Sequence, residues 1–193
     1  MRLEQLATDL GDQLCVTAMA AVVGFWCLRQ IGRLAAMAFV MTYLTALGVV
    51  TGLKLLADIF FLPPALSEPM ELSSGAPSGH VALSWVVYGS AAYLCGRASR
   101  RWDAILGQLA CLAVMIGIAV TRVTLHTHTI ADVISGAIVG GIVVSVPILL
   151  VWSRQPDRRN AASVPWLLAG MAAAGAFMLA SGVRLSSGDF NLA

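Results

Sequence analysis

Six long apolar stretches restrict what this chain can fold into. They cover residues 14–28, 34–53, 80–95, 104–120, 130–152 and 165–183. A helix of about 20 apolar residues crosses the roughly 30 Å hydrocarbon core of a bilayer. Backbone inside hydrocarbon must satisfy its own hydrogen bonds, which leaves helices or closed barrels, and runs of this length read as helices. Charged residues make up 11% of the sequence, against about 25% in a soluble domain, too few to coat a soluble particle. The expected architecture is all-α: a polytopic membrane helical bundle of about six transmembrane helices, one membrane-embedded domain over residues 1–193.

Ahead of the first span, Leu3, Leu6, Ala7, Leu10 and Leu14 recur at helical spacing, while Arg2, Glu4, Gln5, Asp9 and Asp12 fill much of the other face. That pattern predicts a short N-terminal amphipathic helix lying in the membrane interface. It is unlike a cleaved signal peptide, because acidic residues interrupt the apolar start. Arg29, Arg33, Arg97, Arg100, Arg101, Arg154, Arg158 and Arg159 are eight of the twelve basic residues and fall in three loops on one side. Cytoplasmic loops carry such an excess, so both termini, the loop from Phe61 to Gly79 and the turn around Thr124 to Thr129 are expected outside, in the periplasm of a bacterium. The chain then reads as a multi-pass protein of the inner (plasma) membrane.

Net charge is +2, and no basic run or aromatic array points to nucleic acid. Cys15, Cys27, Cys95 and Cys111 all fall within apolar stretches and form no Cys-x-x-Cys pair, so they read as small buried hydrophobes and not as a disulfide framework. Gly48 and Gly52, and Gly136 and Gly140, are pairs four residues apart, a spacing that lets helix backbones approach closely. The Ala/Gly-rich segment 169–176 reads the same way. The Pro/Ser-rich stretch from Pro63 to Pro77 is a loop or lid, and its Glu68 and Glu71 are expected to face water.

Ionisable residues at the edge of hydrocarbon mark a functional site by default. Lys54 follows the second stretch; Pro77, Ser78, Gly79 and His80 open the third; Arg122 ends the fourth; His128 and Asp132 open the fifth. Two histidines, a carboxylate and two cations make a candidate phosphate-handling site. Ser78 is a good helix N-cap, Gly79 lets a ligand approach the backbone, and free N–H groups at a helix N-terminus bind phosphate. His128 and Asp132, four apart, share a helix face. The carboxylate can hold one ring nitrogen and leave the other free as nucleophile or base. His126, two residues away, points elsewhere on a helix and reads as a bystander.

These residues resemble the blocks of the type 2 phosphatidic acid phosphatase family, integral membrane lipid phosphate phosphatases. Pro77, Ser78, Gly79 and His80 match its second block in full. Thr121, Arg122, His128 and Asp132 match the third, with threonine in place of serine. The resemblance covers about residues 34–152. In the first block Lys54 stands as the lysine, but Phe61 and Leu62 stand where the family has arginine and proline. The missing guanidinium is a bidentate phosphate clamp.

The resemblance implies roles. His128 attacks phosphorus and forms a phosphohistidine, Asp132 orients it, and His80 protonates the leaving group and then activates water. Lys54, Ser78, Gly79 and Arg122 hold the phosphoryl oxygens. No metal and no cofactor are implied. The implied function is hydrolysis of a lipid phosphate monoester or diphosphate at the outer face, with a membrane lipid phosphate and the bilayer as partners. Three rivals remain open: a lipid phosphotransferase using the same site, a metalloenzyme with His80, His126, His128 and Asp132 as ligands, and a non-catalytic membrane protein with a relict site, for which Phe61 is the best argument.

Overall fold

The structure, a computed structural model, describes residues 9–61, 77–97, 101–154 and 163–181. Among these residues the chain forms six α-helices and no strand: α1 (Gln13–Gln30), α2 (Arg33–Phe61), α3 (Gly79–Gly96), α4 (Arg101–Thr124), α5 (Ile130–Leu150) and α6 (Ser163–Ser181). A single 3-10 turn, Trp152–Arg154, follows α5. The expected amphipathic helix falls largely outside the described residues, as do Glu68, Glu71 and the loop around them.

Five helices are long and apolar enough to cross a membrane: α1, α2, α4, α5 with its 3-10 turn, and α6. Their outward faces carry exposed side chains such as Met37, Leu44, Ile59, Leu106, Ile138 and Leu149. Apolar exposure on that scale fits a surface facing lipid. The sixth helix, α3, falls short of that measure because it carries His80, Ser84, Tyr88, Ser90 and Tyr93. Yet α3 is the centre of the bundle and packs on all five others. Val81, Ala82, Leu83, Val86, Val87, Ala91 and Leu94 are buried along it. A helix whose neighbours are protein can carry polar groups that find partners there.

The second helix outruns its expected end at residue 53 and continues through Lys54 to Phe61. No residue between 53 and 61 disfavours a helix, and the first sequence signal against one is Leu62 ahead of Pro63. The extra two turns continue past Lys54, which falls near the end of the candidate span Arg33–Ala57.

Helices in hydrocarbon are held by close packing and interhelical hydrogen bonds, because lipid is as apolar as leucine. The closest approach joins α3 to α5. A Cβ added to Gly136 would lie 2.6 Å from the Ser78 carbonyl oxygen, and one on Gly140 would lie 2.5 Å from that of Ala82. Around Gly48 and Gly52, by contrast, an added Cβ meets nothing within 4 Å, so among the described residues that pair is not a packing seam. At the arginine-bearing end, fully buried Trp152 stacks on Phe39 and Tyr93 at 6.4 and 5.7 Å. Its indole N–H donates to the Ala35 carbonyl, and Arg97 Nη1 donates to the Trp152 carbonyl at 2.6 Å. These contacts tie α2, α3 and the end of α5 together.

Replacing Gly140 with alanine forces α3 and α5 apart and should cost about 1–3 kcal/mol of stability, the usual range for overpacking. Gly52→Ala should stay within about 0.5 kcal/mol of the wild type. Thermal unfolding of both variants in detergent, read by size-exclusion, measures the difference.

Candidate active site

Alternating helix directions bring the end of α2, the start of α3, the end of α4 and the start of α5 to one end of the bundle. Lys54, Ser78, Gly79, His80, Arg122, His128 and Asp132 all lie there. Arg29, Arg33, Arg97, Arg101 and Arg154 lie at the opposite end.

The start of α3 is held in place by backbone. Ser78 N–H donates to the Asp132 carbonyl at 2.9 Å, across the glycine-lined crossing. Ser78 sits at the N-cap position, but its side chain makes no capping bond. This corrects the sequence expectation: the position is a cap, while the hydroxyl is not used as one. Ser78 is fully buried, and its Oγ has no hydrogen-bond partner. A buried unsatisfied polar group costs about 1–3 kcal/mol, so it calls for an explanation. Gly79 explains how Lys54 reaches this point: a Cβ there would lie 3.2 Å from Val50 Cγ1 and 3.7 Å from Lys54 Nζ. The glycine leaves room for α2 and its lysine beside the first turn of α3.

The turn between α4 and α5 folds around the Arg122 carbonyl. It accepts from His128 N–H at 3.1 Å and from Thr127 Oγ1 at 3.0 Å. His126 adopts a left-handed conformation, φ 53°, that reverses the chain. Its side chain is exposed. The arginine is 9% exposed, and its Nε lacks a hydrogen-bond partner.

Asp132 is 2% exposed and closes a capping box at the start of α5. Its Oδ2 accepts from Thr129 N–H at 3.0 Å, while Thr129 Oγ1 accepts from Asp132 N–H at 3.2 Å. The same Oδ2 stands 3.7 Å from His128 Nδ1, beyond hydrogen-bond length but on the side that leaves Nε2 free. His128 is held below the ordinary histidine value of 6.5, first by burial and then by the Arg122 charge; Lys54 adds to the effect and Asp132 opposes it. The resting imidazole is therefore neutral at pH 7.

His80 is half-buried and interacts electrostatically with Arg122, Lys54 and His128. The fold thus brings together all seven residues read from the sequence. Thr129 was missed, although a threonine three residues before Asp132 is a capping signal. Asp12, the N-cap of α1 with its Oδ1 accepting from Leu14 N–H, also lies within electrostatic reach of Arg122. Nothing in the sequence relates those two. Among the described residues no three His, Cys, Asp or Glu side chains stand together in a way that would hold a metal ion. The Phe61 side chain lies outside what is described.

Residues 35–156 match the family model of the PAP2 superfamily. No curated protein and no solved structure matches the chain.

The two charges that shape the His128 titration can be separated. Asp132→Asn should move it to lower pH and Arg122→Gln to higher pH. Nitrogen-15 NMR of histidine-labelled protein in micelles reads both shifts directly.

Proposed function

The chain belongs to the PAP2 superfamily, whose members have phosphatase-type activity on phosphate esters, and from that premise we propose that it is a metal-independent membrane lipid phosphate phosphatase. One observation carries the reading. Two buried groups with hydrogen-bonding capacity to spare, Ser78 Oγ and Arg122 Nε, belong to the cluster that also holds Lys54, His80 and His128. A phosphoryl group would satisfy both, since its oxygens only accept and carry the opposite charge.

The reaction follows from the placement. Lys54, Arg122, Ser78 and the N–H groups at the start of α3 hold the phosphoryl oxygens, a helix N-terminus being suited to anions. His128 Nε2 attacks phosphorus, the P–O bond to the lipid breaks, and His80 passes a proton to the leaving oxygen. The product on the protein is a phosphohistidine. Water then gives a proton to His80 and attacks phosphorus, the P–N bond breaks, and phosphate leaves. The Asp132 carboxylate stabilises the charge that develops on the His128 ring, the 3.7 Å gap closing as catalytic hydrogen bonds tighten on binding. Phosphoryl transfer needs mostly positioning and charge stabilisation, and two cations with helix N–H groups supply these. Positive-inside logic places the site at the outer, periplasmic face.

The first test is phosphate release by purified protein in detergent, with chelator present, from phosphatidate, phosphatidylglycerol phosphate and a polyprenyl diphosphate. Release should survive chelation and vanish in His128→Ala. Release lost on chelation would overturn the metal-independent reading. Transfer of phosphate to an added alcohol in place of water would identify a phosphotransferase.

A pH profile checks the nucleophile. Attack needs a neutral His128, so kcat/KM, which reports the titration of the free protein, should rise with pH through that residue's titration. Because burial and Arg122 lower it, the acid limb should lie below pH 6.5. An acid limb above that value would argue against His128 as the attacking group.

A further inference from the structure

Among the openings that the described residues form, two with mostly apolar walls reach the lipid face at different depths. A groove of about 320 Å³ runs between α2 and α5, from Thr45 and Ile142 down to Ala38 and Val151. Thr45 is nine residues below Lys54 and Ile142 ten below Asp132, so its upper edge lies roughly 14 Å beneath the site at 1.5 Å per residue. Half the hydrocarbon core is about 15 Å. This groove therefore begins where the outer leaflet ends.

The larger opening, about 460 Å³, lies between α4 and the α1–α6 pair, with Tyr88 of α3 as its floor. It starts at the outer end, at Leu10 and Leu179, passes Val114 and Tyr88 about 12 Å below Arg122 and His80, and reaches Ala110 about 18 Å below Arg122. Its depth is that of a lipid chain in the outer leaflet, and its volume falls in the range of ligand pockets, about 300–1,000 Å³. The packing explains why it is open. Helix α4 lies mainly on α3 and touches α6 only lightly, while α6 packs on α1. Small residues usually let helices close on one another. Here Gly170 and Gly175 do so, meeting Val22 and Met19 of α1. Ala172 and Ala176, on the other face of α6, line the opening together with Ala110 of α4.

Helix α4 relates the opening to the site, since one helix lines the first and carries Arg122 of the second. Cys111, Met115, Ile118 and Arg122 form the buried stripe of α4, and Cys111 lines the opening at the lower end of that stripe. The Tyr88 hydroxyl lies 2.8 Å from Met19 Sδ and 3.4 Å from the carbonyl oxygen of Leu10 at the rim, two residues from Asp12, which interacts electrostatically with Arg122.

The geometry points to the cleft between α4 and the α1–α6 pair as the binding site for a hydrocarbon chain of the lipid whose phosphate is held at Lys54, Ser78 and Arg122. The inference rests on the phosphatase reading for its headgroup, and it assigns the Ala-rich segment of α6 a role in recognising chain length. A chain of eight carbons occupies only the upper part of the cleft, whereas one of sixteen reaches its lower end at Ala110 and Cys111.

The test compares dioctanoyl and dipalmitoyl phosphatidate on the full-length protein, with the cleft filled from either side by Ala172→Phe or Ala110→Phe. Thr45→Phe, which fills the α2–α5 groove, is the control. Both cleft variants should lower kcat/KM for the sixteen-carbon substrate by about tenfold, the loss of a few buried methylenes, and leave the eight-carbon substrate within about twofold. Equal losses on both substrates, or a chain-dependent loss in Thr45→Phe in place of the cleft variants, would overturn the assignment. Thermal stabilisation by non-hydrolysable phosphonate analogues and by the matching diacylglycerols separates the two readings. A phosphonate that stabilises no more than its diacylglycerol would sink the phosphate site. Stabilisation by diacylglycerol that depends on chain length equally in wild type and filled variants would sink the cleft.

Discussion

The close crossing of α3 over α5 is the contact on which the rest of the molecule depends. In hydrocarbon no hydrophobic force draws two helices together, so surface fit decides which pairs touch. Gly136 and Gly140 present bare backbone to Ser78 and Ala82, and this closeness permits the Ser78 N–H to reach the Asp132 carbonyl. That bond joins the start of one helix to the start of the other. His80, on the first turn of α3, and His128, two residues ahead of α5, then lie at the same end and interact electrostatically. A side chain at either glycine would separate two histidines far apart in the sequence.

Around that crossing the molecule keeps several costly groups. Lys54 and Arg122 bring positive charge to the edge of hydrocarbon, and Ser78 buries a hydroxyl with no partner. Asp132 is committed first to the N-terminus of α5 and only secondarily to His128, at 3.7 Å. The arrangement has acceptor capacity missing, and in the proposed reaction the phosphoryl group provides it. Burial and the neighbouring cations keep His128 neutral, the state a nucleophile needs. The same charges that would bind the phosphate thus also prepare the attacking ring.

Much of this was legible from residue order. Long apolar stretches predicted six helices, and the parity of six antiparallel crossings puts Lys54, His80, Arg122 and His128 at one end whatever the details of packing. Other features were hidden for physical reasons. Hydropathy reports exposure to lipid, so α3 falls short of the measure of a span although it is the most enclosed helix. A glycine pair reports only that close approach is permitted. Gly136 and Gly140 meet a neighbour, and Gly48 and Gly52 do not. Ser78 has the right type and position for a cap, but whether its hydroxyl turns inward to the backbone depends on what surrounds it.

The sequence by itself determined the helical class, the number of helices and the end at which the ionisable residues gather, because these follow from apolar run length and the alternation of direction across a bilayer. Only the tertiary structure decided which helices touch. That choice left Ser78 Oγ and Arg122 Nε unpaired, brought Asp12 near Arg122, and opened a cleft beside α4. Each depends on the shapes of surfaces distant in sequence, and close packing in hydrocarbon is settled by those shapes and not by local pattern.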